Sequence, residues 1–392
     1  MIFLTPIVSI IPTSASMALN LKLLYLLPPQ DLLSSYQLSQ PVAIELHQAL
    51  TQFQQALSGE ESLQVVTIMA ALNQLTSVEV NPLAEFVTGT NLKCQQAQEF
   101  DRYMQIQHVH TKEPANLIVV SLLTAYLAFC EISQCLSFNV NQYFVKYGFQ
   151  SYVFLLQRIF NFENKIDNKE EIYNNIFYSH HNNSTQINTK NNHILSPLEI
   201  WKKGHWVFLI FSQGLILSLN RFVTAMSNDQ LDLAKIELET AAELMYASGA
   251  AMKLTGNFTR EKYETEIRPT MIIGNPQSLV QSENLSGLMM WDHDYLINVI
   301  CKQKLLPIMK NLPSRIEAEH KKFLLAYKWG LSDGHKSICA EFGGGEQGSL
   351  IDVSESSNAI NKLKNFEKSR AKLFDPTGQI KDSCPLKSDS IN

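Results

Sequence analysis

Helical periodicity is the feature of this sequence that most restricts its fold. In PVAIELHQALTQFQQAL, residues 41–57, apolar residues recur every three or four positions and form one face of a helix. SPLEIWKKGHW opens with a capping box, since Ser196 stands three residues before Glu199, and predicts a helix to about Met226. Alternating strand patterns are scarce, and no βαβ rhythm or internal repeat is present. The chain is therefore predicted to be all-α.

Two further helices are predicted in the second half of the chain. Residues 228–256 begin on an Asn-Asp cap and end on Lys and Gly. The centre of this helix, AAELMYASGAAM, is rich in small residues, so its backbone is expected to approach a neighbour or a ligand closely. Ser314 and Glu317 form another capping box after Pro313, and the helix that they begin carries an apolar seam as far as residue 342.

Composition and charge exclude several classes of protein. The net charge is −5, and no block of Lys and Arg recurs on one face, which argues against nucleic acid or a membrane surface as a partner. The apolar runs 115–130 and 206–219 are shorter than a membrane span, so we expect buried core helices. The six cysteines are scattered through the chain and form no disulfide framework, which predicts a cytoplasmic location.

The chain is predicted to form one domain over residues 25–375. Residues 1–24 are expected to be a loose, apolar N-terminal extension, because they lack the positively charged start of a secretory signal. The asparagine-rich segment 161–193 is poor in aliphatic residues and is predicted to be a disordered insertion, whose His180–His181 pair reflects composition. Residues 376–392 are expected to be a polar tail.

His335 and Cys339 are the first candidate site residues. On a helix the two side chains lie one above the other, about 5–6 Å apart. This spacing allows the imidazole to coordinate a haem iron while the sulfur bonds a vinyl group at the porphyrin edge. Two other interpretations remain open on spacing alone: half of a zinc site, or the end of a helix with a core cysteine.

Three other features are weaker candidates. His293 lies between Asp292 and Asp294 and is either a proton-transfer group held by a carboxylate or a core-edge histidine beside two solvated aspartates. Arg268, in EIRPTM, offers a fixed charge for a carboxylate or a haem propionate, although surface ion pairs are the usual role of such residues. Glycines 343–345 and 348 form no phosphate loop, and they either end the helix or form a flap.

Two other histidine patterns are weaker candidates for a metal site. Glu317 and His320 form an ExxH motif, but a di-iron bundle needs two such motifs and the chain has this one alone. The di-iron site is therefore the runner-up metal hypothesis, and His320 is predicted to be a residue of the helix seam. His108 and His110 have no spaced partner in the sequence and are predicted to lie in a loop.

The C-terminal half, about residues 225–373, resembles the haem-dependent aromatic oxygenases, the all-helical superfamily of tryptophan and indoleamine 2,3-dioxygenases. The shared order is a small-residue helix, the RP of EIRPTM, SGLMMWDHDYLI, the helix containing GHKSIC, a glycine-rich loop and a closing helix containing SR. Within this superfamily the chain is most similar to the 3-methyl-L-tyrosine hydroxylases of saframycin- and safracin-type pathways. These are marked by a histidine, a gap of some forty residues and HxxxC, and here 41 residues separate His293 from His335.

The resemblance implies a helical bundle of the tryptophan 2,3-dioxygenase type that encloses a haem. His335 would be the axial iron ligand, Cys339 the residue bound to a haem vinyl, and His293 the distal acid/base. Arg268 would hold the substrate carboxylate, and Gly344 and Ser349 would contribute to a substrate-binding lid. The implied reaction is hydroxylation of tyrosine or 3-methyl-L-tyrosine, ortho to the phenol, with hydrogen peroxide in natural-product biosynthesis.

Alternatives to this reaction remain open. They are an O₂-dependent haem dioxygenase of the tryptophan type and a helical protein that binds haem without catalysis. The resemblance also implies that a homodimer is possible.

Overall fold

The computed structural model describes residues 22–36, 38, 40–59, 67–68, 70–71, 81–82, 92–135, 141–162, 195–273, 283–343 and 359–378. Helices dominate this part of the chain, as the periodicity predicted. The helices are α1 (Gln40–Ser58), α2 (Leu92–Met104), α3 (Pro114–Gln134), α4 (Asn141–Ile159), α5 (Pro197–Ser227), α6 (Leu231–Thr255), α7 (Trp291–Tyr295), α8 (Glu317–Leu325), α9 (Asp333–Glu341) and α10 (Ala359–Phe374). Shorter helical turns occur at Pro29–Asp31, Arg260–Lys262, Tyr263–Ile267, Arg268–Met271, Gly287–Met289 and Ser314–Ile316.

Helix α5 begins and ends where the sequence predicted. The Ser196 hydroxyl accepts a hydrogen bond from the Glu199 N–H, and the Glu199 carboxylate accepts one from the Ser196 N–H. This capping box satisfies two backbone donors that the first turn of a helix leaves without partners. The helix then continues to Ser227, and most of its side chains are buried.

The turn between α5 and α6 differs from the prediction. Helix α6 begins at Leu231 and has no side-chain cap, so the expected Asn-Asp cap is wrong. Asn228 and Asp229 instead form the turn, in which Asp229 has a φ of 55°. The Gln230 N–H donates to the Ala225 carbonyl at 2.9 Å, which satisfies one of the last carbonyls of α5.

The small residues of α6 permit a close backbone approach, as predicted. A Cβ atom placed on Gly249 would lie 2.2 Å from the carbonyl oxygen of Gly330, and one on Gly334 would lie 2.7 Å from the oxygen of Gly249. Neither distance is possible for real atoms, so both positions require glycine. Helix α6 is thereby packed directly against the backbone that leads into α9.

Two π-helical stretches adjoin the helices that carry the candidate histidines. Helix α7 continues into a π-helical stretch, Leu296–Leu305, and a last turn, Leu306–Met309. Helix α8 continues through a π-helical stretch, Ala326–Ser332, into α9. Such stretches change the register of side chains along a helix and are frequent at functional sites. The predicted seam is still buried, at Ile316, His320, Phe323, Leu324, Tyr327, Ile338 and Phe342.

The predicted capping box at Ser314 is wrong. Ser314 begins the short turn Ser314–Ile316, and no side chain caps either this turn or α8. The Ile316 N–H donates to the Pro313 carbonyl at 3.0 Å, so the backbone itself satisfies this donor.

The strands form two small sheets. In the first, β1 (Leu24–Leu26) pairs in parallel with β3 (Ile106–His110), which pairs antiparallel with β2 (Asn81–Pro82). In the second, β4 (Ile272–Ile273) pairs with β5 (Glu283–Asn284). His108 and His110 therefore lie in a strand, and the predicted loop is wrong, because β1 supplies a pairing partner from a distant part of the chain.

The long apolar helices α3 and α5 contain the two apolar runs of the sequence. Length and composition alone would allow each to span a bilayer. In the most apolar window of each helix, 83% of the residues in α3 and 78% of those in α5 are buried in the fold. These helices supply much of the hydrophobic core, as predicted for both runs.

Some of the predicted segments lie outside the described residues: most of the N-terminal extension, the insertion from residue 163 onward with His180 and His181, and the tail beyond residue 378. Leu24, which was assigned to the extension, is instead the first residue of β1. Its side chain is fully buried, and its N–H donates to the Gln105 carbonyl at 3.0 Å. Strand pairing therefore begins the ordered fold at or before Leu24.

Candidate functional site

A small pocket lies between α5, α6, α10 and the two π-helical stretches. Its walls are mainly apolar, and its polar groups are few. The lining residues are Phe208, Ser212, Leu215, Leu219, Met245, Ser248, His293, Leu296, Ile297, Cys301, Tyr327, Leu331, Arg370 and Phe374.

His293 lines this pocket from the first turn of α7. Its pKa is lowered to about 3, first by desolvation and then by the electrostatic influence of Arg370 and His335. Protein surrounds most of the ring, but the ring keeps some accessible surface where it borders the pocket. No hydrogen bond of its nitrogens occurs within the described ranges. At neutral pH His293 is therefore an uncharged imidazole that can exchange a proton with a ligand.

His335 and Cys339 lie on α9, one turn apart, as the sequence predicted. The pKa of His335 is lowered to about 4 by desolvation, by Arg370 and by His205. Its neutral ring makes no hydrogen bond to any residue that the structure describes. Burial raises the pKa of the Cys339 thiol to about 11, and this cysteine is not in a disulfide. Leu331, four residues before His335, lines the pocket, whereas His335 and Cys339 are not among its lining residues.

His205 is a third histidine at this end of the pocket, and the sequence analysis did not single it out. Its Nδ1 lies 2.7 Å from the carbonyl oxygen of Trp201, one turn earlier on α5, so Nδ1 must carry the proton and donate it. The remaining nitrogen, Nε2, therefore holds a lone pair. Desolvation lowers the pKa of His205 to about 4, so this ring is neutral as well.

Arg370, on α10, is the cation of the pocket. Its guanidinium lies over the Phe366 ring, 5.4 Å from the ring centre, and it shifts the pKa values of both His293 and His335. The nearby carboxylate of Glu367 instead accepts hydrogen bonds from Ser332 and Lys336. The sequence contained a signal for Arg370, the SR of the closing helix, but gave it no role.

Behind His293, a buried ionic network holds the preceding residue. His108 Nδ1 lies 2.7 Å from Asp101 Oδ2, and His108 Nε2 lies 2.9 Å from Asp292 Oδ2. Gln213 of α5 donates to the other oxygen of Asp292 at 3.0 Å. Desolvation lowers the pKa of His108, but the two carboxylates outweigh this effect and raise it to about 10. The ring is therefore an imidazolium.

This network corrects two interpretations of the sequence. Asp292 is 1% exposed, so it is not a solvated aspartate. Its carboxylate is bound to His108 and Gln213, so it does not hold the His293 ring as the functional interpretation required. Asp292 and His293 are adjacent in a helix and therefore point in different directions, one into the network and one into the pocket.

The other predicted residues lie elsewhere. Desolvation raises the pKa of the Tyr263 hydroxyl to about 12, and nearby Arg268 opposes this shift. Cys339 is near the same hydroxyl, but neither Arg268 nor Cys339 lines the pocket. Gly344 and Ser349 lie outside the described residues. His320 is buried on the seam, where its Nε2 bonds the Phe374 carbonyl. No cluster of three or more His, Cys, Asp or Glu side chains suited to a metal ion occurs in the described ranges, so the zinc and di-iron hypotheses gain no support.

The fold and site define a helical protein with an apolar pocket that His293 lines and near which His335 lies. Neither ring has a hydrogen bond among the described residues. The family described as SfmD 3-methyl-L-tyrosine peroxygenase matches residues 175–319, which include His293 and end before His335. A 3-methyl-L-tyrosine peroxygenase of Streptomyces lavendulae is 27% identical over 177 residues, which are 44% of this chain and 46% of the relative. The match thus spans about half the length of the curated relative.

A solved structure gives the same indication for the fold. The crystal structure of reduced SfmD, obtained by soaking with sodium hydrosulfite, superposes with a TM-score of 0.53 at 15% identity. It covers 81% of this chain and 96% of the other. The chain is therefore similar to SfmD-type peroxygenases, which confirms the resemblance predicted from its motifs, and it shares their helical fold.

The residues around the pocket fit a haem. Apolar walls formed by Phe208, Leu331 and their neighbours suit the porphyrin faces. A haem iron needs only an axial imidazole from the protein, and His335 has a neutral ring without a hydrogen bond in the described part. Arg370 is a cation suited to a propionate, and Cys339 is a free thiol one helical turn from His335.

Proposed function

We propose that this protein is a haem-dependent peroxygenase that hydroxylates the ring of L-tyrosine or 3-methyl-L-tyrosine. The reaction uses one hydrogen peroxide for each substrate molecule and yields a catechol and water, with the new hydroxyl ortho to the phenol. The observation that supports it most is the pair of neutral histidines, His293 and His335, beside one apolar pocket in a chain similar to peroxygenases.

His335 would hold the haem through its free ring nitrogen. Because its pKa is about 4, the ring keeps a lone pair for the iron at neutral pH. When bound, the haem supplies the oxygen-transfer chemistry. Cys339 would bond a vinyl carbon and so fix the orientation of the porphyrin relative to His335. A fixed orientation matters because the substrate ring must meet the reacting oxygen in one geometry.

His293 would be the acid/base of the reaction. Its uncharged imidazole lines the pocket, so it can accept the phenol proton of the substrate or move a proton between the two oxygens of peroxide. The Asp292 network holds the backbone from which this ring projects. Apolar walls around the ring exclude water and limit the loss of peroxide to side reactions.

The test is turnover of haem-loaded protein with L-tyrosine or 3-methyl-L-tyrosine and peroxide, followed by mass spectrometry for a product with one added oxygen. We expect His293→Ala to keep the haem spectrum but lose about 10²- to 10⁴-fold in rate, the usual contribution of a general acid/base. Undiminished turnover in this variant would remove His293 from the mechanism. Turnover that needs O₂ and no peroxide would replace the proposal with the dioxygenase alternative.

The covalent link has a matched pair of cysteine variants. Cys339 is one turn from His335, whereas Cys301 lines the pocket itself. The proposal predicts that Cys339→Ala releases haem on a denaturing gel and that Cys301→Ala retains it. The reverse result would move the attachment point to Cys301. Release of haem from the unaltered protein would contradict the link and would favour a dioxygenase or a simple haem binder.

A further inference from the structure

Arg370 is a cation in an apolar pocket, and no carboxylate forms an ion pair with it among the described residues. Its neighbours on the pocket wall are the apolar Leu219, Leu331 and Phe374, and desolvation lowers its pKa. Among the residues that the structure describes, it forms neither a salt bridge nor a hydrogen bond, and its guanidinium lies over the Phe366 ring. A guanidinium stays charged in proteins, so the charge persists in this setting.

The titratable groups that face Arg370 do not offset its charge. An imidazole is neutral or positively charged, so His293 and His335 cannot supply an anion. The pKa of Cys301 is raised to about 12 and that of Tyr327 well above its usual range, so both are protonated at neutral pH. A partly buried charge without a counter-ion is costly, and an arginine is retained in such a place when a ligand supplies the anion.

We infer that Arg370 is the binding site for a carboxylate of the molecule that occupies the pocket. The planar guanidinium can donate two parallel hydrogen bonds to a carboxylate, which gives both strength and orientation. A ligand held in this way would lie beside His293, because the two side chains line the same pocket.

In the proposed function, two molecules that bind the protein carry a carboxylate. The inference rests on the proposed function only for the identity of these ligands. They are the amino-acid substrate and haem, whose propionates are carboxylates. Arg268 is the rival residue, because the sequence alone assigned it this role. It lies near Tyr263 and Cys339, away from the pocket lining.

The experiment measures affinity, not activity. Binding of L-tyrosine and of tyramine, which lacks the carboxylate, is measured by calorimetry on the protein as purified. Binding of haem and of haem dimethyl ester is measured by quenching of tryptophan fluorescence. The variants are Arg370→Met, Arg370→Lys, Arg268→Met and, as a surface control, Arg315→Met, whose side chain is 64% exposed.

We expect Arg370→Met to lower the affinity for one carboxylate ligand about 10- to 100-fold. The affinity for the analogue of that ligand without a free carboxylate should stay unchanged. Loss confined to L-tyrosine identifies the substrate carboxylate as the partner, and loss confined to haem identifies a propionate. Arg370→Lys keeps the positive charge but cannot donate two parallel hydrogen bonds, so it should lose less affinity than Arg370→Met. If the Met variant is unstable, this comparison separates recognition of the carboxylate from misfolding.

Equal affinities in the unaltered protein and in Arg370→Met and Arg370→Lys would overturn the inference. So would a loss of carboxylate preference in Arg268→Met and not in Arg370→Met. Absence of haem binding would refute the proposed function, yet an Arg370-dependent preference for L-tyrosine over tyramine would still support the carboxylate site. The two proposals can therefore fail separately.

Discussion

Two histidines on either side of Asp292, one bound to its carboxylate and one next to it in the chain, have opposite electrostatic environments. His108 lies between the carboxylates of Asp101 and Asp292, and its pKa is raised to about 10. His293, the residue after Asp292, faces the pocket without a partner in the described part, and its pKa is lowered to about 3. Both rings are surrounded by protein, so the difference comes from the charges beside them and not from burial.

The comparison separates a structural region from a functional one. Around His108 each charged group is hydrogen-bonded to a group of opposite charge or to an amide, so the network stabilises one conformation. In the pocket, the groups that face Arg370 are uncharged histidines and the protonated side chains of Cys301 and Tyr327, none of which carries a negative charge. Groups held in this state reduce the stability of the free protein, and such perturbed side chains in a cleft are typical of binding and catalytic sites.

The largest expected effect comes from breaking the network. Asp292→Ala should lower the free energy of unfolding by about 3–5 kcal/mol, because it leaves the His108 imidazolium and the Gln213 amide without that partner. Urea denaturation measures the change. Asp294→Ala, two residues along the helix, is the matched control and should cost less than about 1 kcal/mol. Equal losses in the two variants would show that the network has no special role.

The charge of His108 predicts a pH dependence. Its folded pKa is above the unfolded value, so its ionic stabilisation is complete below about pH 6.5 and is lost as the pH rises through about 10. Between these limits the free energy of unfolding should fall by about 1.4 kcal/mol per pH unit from this group. His108→Gln should remove that slope, in urea titrations at several pH values. A slope shared by both proteins would mean that His108 is neutral in the fold.

The approach of α6 to the segment before α9 predicts a smaller effect. In Gly249→Ala the new methyl group would meet the Gly330 carbonyl, so the two backbones must separate. We expect a loss of about 1–3 kcal/mol in stability, the usual cost of overpacking. Gly378→Ala has open space around its Cβ position but a φ of 66°, so it separates backbone strain from overpacking. A stable Gly249→Ala variant would mean that α9 is free to shift.

The smallest stability effects belong to the pocket. His293→Gln should change the free energy of unfolding by less than about 1 kcal/mol, because no hydrogen bond within the described structure is lost. Arg370→Met should be neutral or stabilising in the absence of ligand, since it removes a charge without a counter-ion. Thermal unfolding of both variants measures this. A loss as large as that of Asp292→Ala would erase the distinction between the two regions.

Much of the fold could be predicted because its signals are local. The capping box of α5, the seam that contains His335 and the small residues of α6 are each read from neighbouring positions. The network could not be predicted, because His108 and Asp292 are 184 positions apart and a parallel strand pair positions His108. For the same reason the sequence favoured Arg268 over Arg370, since only the packing of α10 shows which arginine reaches the pocket.

The central claim is that His293 and His335 belong to a haem site. It is tested most directly by the absorption spectrum of protein purified from haem-supplied expression, together with His335→Ala and a haem-stained denaturing gel. The account predicts a Soret band that His335→Ala shifts or abolishes, and haem that remains with the denatured chain. A protein without a Soret band under these conditions would contradict the account.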